Sequence, residues 1–74
     1  MTYGQLSNKL RSNGYRVRER LLVNAVEPDE IIGLEVHGVS PLWKDEEAEK
    51  LRKLIPFTRI HWLPNEGYFL IEIK

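Results

Sequence analysis

One stretch, Tyr15 to Val39, constrains this chain more than any other. It reads YRVRERLLVNAV, then EPDE, then IIGLEVHGV, which is two alternating runs flanking turn-forming residues. In a strand, odd and even positions point to opposite faces of the sheet. Tyr15, Val17, Glu19, Leu21, Val23 and Ala25 form the drier odd set, and Arg16, Arg18, Arg20, Leu22, Asn24 and Val26 the even set. In the second run the sense reverses: Ile32, Leu34 and Val36 are apolar and even, while Gly33, Glu35 and His37 are odd. Directly opposed residues share a face, so the numbers of each pair must sum to an odd value. A turn centred on Pro28-Asp29 meets that condition. It predicts Val23 across from Leu34, Leu21 across from Val36 and Arg20 across from His37, with Glu35 diagonal to Arg20.

The remaining segments arrange themselves around this hairpin. TYGQLSNKLRSNG predicts a short helix: Thr2 and Gln5 form a capping box, Leu6 and Leu10 lie four apart on one face, and Asn13-Gly14 supplies a left-handed stop. Ser40-Pro41 predicts the start of a second helix running from about Pro41 to Leu54, with Asp45, Glu46 and Glu47 early and Lys50, Arg52 and Lys53 late, as the helix dipole favours. Its apolar stripe is read as Trp43, Ala48, Leu51, Leu54 and Ile55. FTRIHWLPNEGYFLIEIK predicts a second hairpin around Pro64-Asn65-Glu66-Gly67, with Trp62 across from Phe69, Ile60 across from Ile71 and Arg59 across from Glu72. The element order is thus a repeated α-β-β unit, α-β-β-α-β-β. The expectation is a single α+β domain over residues 1–74, a two-layer sandwich whose two helices cover one face of a four-stranded, mainly antiparallel sheet.

Seventy-four residues without cysteine cannot be stapled by disulfides, so stability must come from the core or from a partner. The apolar runs are far shorter than the roughly 20 residues of a membrane span, and MTYGQLSNKL lacks the basic-then-apolar pattern of a signal peptide. A cytoplasmic protein without membrane contact is expected. Net charge is zero, yet it is banded. Residues 1–26 carry five bases against Glu19, residues 27–49 eight acids against Lys44, and residues 50–74 five bases against two acids. Banding of this kind suits a charged partner, an internally balanced surface, or a dimer that pairs opposite patches.

Motifs with chemical content are sparse. Pro28-Asp29 followed by Glu35-Val36-His37 echoes the proline-aspartate, acid-x-lysine arrangement of a large nuclease superfamily, in which the acids hold a divalent metal. Here histidine replaces lysine. Asp29 and Glu35 also lie about 20 Å apart along one strand at roughly 3.3 Å per residue, too far to share a metal. His37 and His61, both on outward faces, could join Glu35 as zinc ligands if the hairpins brought them together. Trp43 and Trp62 are read as core or core-rim residues. No cofactor and no catalytic residue is expected.

Two surfaces remain. Leu22, Leu63, Tyr68 and Leu70 share the face turned away from the helices and predict an interface, so the first expectation is a small interaction module that self-associates as a homodimer or binds another protein. On the same face Arg16, Arg18 and Arg20 recur at about 6.6 Å, close to the phosphate repeat of a single strand, which makes nucleic-acid binding the alternative. A metal-dependent hydrolase comes last.

Overall fold

The computed structural model describes residues 1–21 and 30–74. Helix α1 spans Tyr3–Ser12 and begins in the capping box that the sequence predicts. Thr2 Oγ1 accepts from the Gln5 N–H at 3.2 Å, and Gln5 Oε1 accepts from the Thr2 N–H at 2.9 Å. Two otherwise unpaired donors are satisfied reciprocally. The helix stops at Asn13, and Gly14, with φ of 86°, turns the chain into strand β1 (Arg16–Leu21). Strand β2 follows at Ile31–His37. Ser40 caps a 3-10 turn over Pro41–Trp43, which leads into α2 (Lys44–Leu54); strands β3 (Thr58–Leu63) and β4 (Tyr68–Ile73) complete the chain.

The four strands form one antiparallel sheet in the order β1-β2-β4-β3. Both helices lie on one side, α1 over β1 and β2 and α2 over β3. The core between the layers is Leu6 and Leu10 from α1, Ala48, Leu51 and Ile55 from α2 and the residue after it, and Leu34, Val36, Phe69 and Ile71 from the two inner strands. The α+β architecture and the α-β-β-α-β-β order are those the alternation predicts.

The β3–β4 register agrees with the sequence at every predicted pair: Trp62 faces Phe69, Ile60 faces Ile71 and Arg59 faces Glu72. Gly67, with φ of 77°, closes the turn.

In the first hairpin the parity is as predicted but the offset is not. Arg16 lies opposite His37, Val17 opposite Val36, Arg18 opposite Glu35 and Glu19 opposite Leu34, four positions earlier along β1 than expected. Arg20 therefore faces Gly33 rather than His37, and Leu21 faces Ile31 rather than Val36. An even shift leaves each β1 side chain on its predicted face, so alternation alone could not distinguish the two registers. Val23, Leu22, Asp29 and the predicted turn at Pro28 lie outside the described residues.

A bulge ends the agreement. Between the Arg20–Gly33 and Leu21–Ile31 pairs, β2 carries one extra residue, Ile32. The face sense inverts there, so Ile31 packs against the core and Ile32, predicted to point inward, is 38% exposed. Continuing the β2–β4 register would set Ile32 opposite Ile73, but the described pairs end at Leu34 and Ile71. The Tyr3 hydroxyl fills the gap, accepting from the Ile73 N–H at 3.0 Å and donating to the Ile32 carbonyl at 3.2 Å. A side chain of α1 thus replaces a rung of the ladder, which a buried backbone donor requires.

Candidate interaction surface

The face of the sheet turned away from the helices takes its side chains from alternate positions of all four strands. Following the cross-strand pairs, one row reads Arg18, Glu35, Leu70 and His61 across β1, β2, β4 and β3. On one side of it lie Arg16, His37, Tyr68 and Leu63; on the other lie Arg20, Gly33, Glu72 and Arg59.

Glu35 sits near the middle and is the hub. Its Oε2 accepts from Arg20 Nε at 3.3 Å, and its Oε1 pairs with His37 Nε2 at 2.9 Å. Arg20 also donates through Nη2 to the Tyr68 hydroxyl at 2.6 Å, with its guanidinium carbon 5.9 Å from the centre of the Tyr68 ring. The His37 ring lies 4.5 Å from that ring, centre to centre. Burial pushes the Glu35 carboxyl up, but the hydrogen bonds and charges of His37 and Arg20 outweigh it and hold the group below its ordinary value.

The predicted interface residues are partly consumed by this arrangement. Tyr68 is 8% exposed, although it points away from the helices. Leu70 is half-buried, and its Cδ1 would stand 3.2 Å from a Cβ added at Gly33. The bare backbone of Gly33 is what lets Leu70 lie flat on the sheet. Leu63 is half-buried, and Leu22 lies outside the described residues.

The arginine row fares differently. Arg20 is committed to Glu35 and Tyr68, whereas Arg16 and Arg18 are exposed and have no carboxylate partner among the described residues. Arg59 is likewise exposed and unpaired among them, because Glu72, its cross-strand neighbour, turns instead to His61 Nε2 at 3.1 Å. Among the described residues the face thus carries four arginines and two glutamates, and both glutamates are engaged. The acids of the first turn of α2, Asp45, Glu46 and Glu47, belong to the opposite layer.

His37 and His61 do point outward, but β4 stands between their strands and each pairs with a different glutamate. Among the described residues no three His, Asp or Glu side chains come together as metal ligands. Asp29, the other acid of the nuclease-like motif, lies outside them. Among them, too, no helix is long and apolar enough to cross a membrane.

At the end of the sheet where α1 leaves and α2 begins, an open groove of about 950 Å³ lies between Tyr15-Arg16 on one wall and Trp43, Glu47, Lys50 and Lys53 on the other. Sequence reasoning missed this feature because it read Trp43 as a core or core-rim residue. Trp43 is 57% exposed and its neighbour Leu42 is 88% exposed. The sequence held one signal, and the structure adds a second cause. Trp43 precedes Ala48 by five residues, about 140° around a helix at 3.6 residues per turn. It also belongs to the 3-10 turn, whose tighter winding alters the phase of whatever precedes α2. Trp62 does meet its expectation, packing on the core with its ring edge-on to Phe69 at 4.9 Å.

Comparison of the chain with protein-family models, with curated proteins and with solved structures returns no match.

Proposed function

We propose that this protein is a small non-catalytic binding module that holds a nucleic-acid strand through phosphate contacts on the outer face of its sheet. One observation supports the reading above the others: among the described residues Arg16, Arg18 and Arg59 stand exposed without carboxylate partners, on a face whose two described glutamates are already engaged. Overall neutrality does not oppose it, since much of the balancing acid lies on α2, in the other layer. Phosphate contacts of this kind depend on local charge and confer little sequence preference.

The test is fluorescence anisotropy with labelled single- and double-stranded oligonucleotides across a series of salt concentrations. Arg16→Gln with Arg18→Gln should weaken binding for all sequences and flatten the salt dependence by about 0.7 per lost contact on a single strand. A protein that ignores both kinds of oligonucleotide at low salt would refute the reading.

A second reading is the self-associating interaction module, through Leu63, Tyr68, Leu70 and Leu22. It draws support from Leu63 and Leu70, which remain half-exposed on a sheet face that neither described helix covers. Under it, Leu70→Asp places a charge where water would be excluded and lowers the solution mass seen by light scattering. Under the first reading that substitution leaves the mass unchanged.

A further inference from the structure

The groove beside Trp43 is continuous with the arginine row, and that continuity suggests what it holds. Arg16 and His37 line the groove, and the same two residues line a shallow hollow of about 250 Å³ that they share with Val17 and Arg18. Arg16 therefore stands where the outer face of the sheet meets the groove. Beyond it, Lys50 and Lys53 line the far wall. Glu47, the one carboxylate among the described residues that line the groove, is already engaged, accepting from the Tyr15 hydroxyl at 3.1 Å and pairing with Lys50 Nζ at 3.4 Å. What remains is a cationic channel with a large, exposed aromatic ring on its rim.

We propose that this groove is a stacking subsite for an unpaired base, and that a single strand held on the outer face passes over Arg16 to lay that base on Trp43. The inference rests on the nucleic-acid reading above and adds strand selectivity to it. A volume of about 950 Å³ falls in the range that admits a nucleotide. Charge complementarity selects an anionic occupant, and the indole favours one with a flat ring, the combination found in channels that bind single strands without reading their sequence. A duplex keeps its bases stacked inside and cannot offer one to Trp43. The subsite therefore distinguishes single from double strands, whereas the arginines alone do not.

The chain has two tryptophans, so Trp62→Phe leaves Trp43 as the sole indole reporter. Three probes of equal length are titrated into that variant: oligo-deoxythymidine, the same sugar-phosphate chain without bases, and a duplex. Oligo-deoxythymidine should quench Trp43 emission, while the abasic strand and the duplex should bind without quenching it. In the otherwise native chain, Trp43→Ala should weaken oligo-deoxythymidine binding about tenfold, leave the other two probes unaffected and leave the salt slope unchanged. Trp43→Phe, which keeps a ring, should recover part of the loss, and unchanged circular dichroism would show that both variants fold. Binding of oligo-deoxythymidine without quenching, or an equal loss for the abasic strand, overturns the stacking subsite while the arginine face stands. Failure of all three probes to bind defeats both proposals. A dimer that quenches Trp43 with no oligonucleotide present overturns the subsite by showing that a second copy covers it.

Discussion

Replacing Tyr3 with phenylalanine removes one oxygen atom and, with it, the rung that α1 supplies to the sheet. The ring keeps its packing, so the cost lies in the two hydrogen bonds to the Ile32 carbonyl and the Ile73 N–H. The two ends are not equivalent. The Ile32 carbonyl bond is solvent-exposed, so water can replace the hydroxyl there at little cost. The Ile73 N–H is partly buried and donates to the Tyr3 hydroxyl, beyond the last described β2–β4 pair. Leaving a buried donor unpaired costs about 1–3 kcal/mol, and with a small contribution from the exposed end the expected loss is about 2 kcal/mol. For a domain of this size each kcal/mol moves the melting temperature by about 4–8 °C, so the variant should melt about 8–16 °C lower. Thermal unfolding followed by circular dichroism gives that number, and amide hydrogen exchange places it, since the Ile73 amide should lose protection beyond what the global loss explains. A melting point within about 2 °C of the parent, or an Ile73 amide that exchanges as before, would refute the assignment of the hydroxyl as a ladder rung.

Two further outcomes follow from the outer face. Because the folded-state Glu35 carboxyl lies below its ordinary value, its contribution is fully present above the unfolded pKa of roughly 4.3 and is lost as pH falls through the folded value. The difference in urea midpoint between the parent and Glu35→Gln should shrink as pH falls below about 5; a difference that keeps growing below that point would contradict the hub role. Gly33→Ala should cost about 1 kcal/mol, since the new methyl meets Leu70 Cδ1 at 3.2 Å and the Ile71 carbonyl at 3.3 Å. Combined with Leu70→Ala it should cost less than the two changes added together, and strict additivity in a double-mutant cycle would show that Leu70 does not lie on Gly33.

The second hairpin was legible down to its register because PNEG is short, and a short turn leaves few ways to align Trp62 with Phe69. The first was legible only in its faces, because a four-residue slide moves no β1 side chain from core to solvent. What the slide changes is partnership: Glu35 meets Arg18 across the strand and recruits Arg20 from the diagonal. Ile32 was misplaced for a related reason, since an even apolar residue gives no warning that a bulge will invert its face. Strand order was not argued from the sequence, although a signal was there. RVRERL and TRIHWL carry charge along their length and form the edges, while the drier IIGLEVH and YFLIEI lie inside. The arginine face was visible in outline, but which arginines stay unpaired depends on where Glu35 and Glu72 turn, a matter of side-chain geometry that alternation does not encode.

The sheet order has a consequence for how the chain is divided. Each α-β-β half folds its hairpin beneath its own helix, and the described ladder between the halves is the short β2–β4 pairing of Leu34 with Ile71, Glu35 with Leu70 and Val36 with Phe69. The halves meet along this seam, and Gly38, with φ of 83°, turns the chain just beyond it. A break between Val39 and Ser40 leaves each fragment with a complete hairpin and helix, and with one apolar inner strand exposed that only the other fragment matches. Expressed separately, residues 1–39 and 40–74 should recover a folded one-to-one complex, and two intact chains held at high concentration can exchange halves across the same seam.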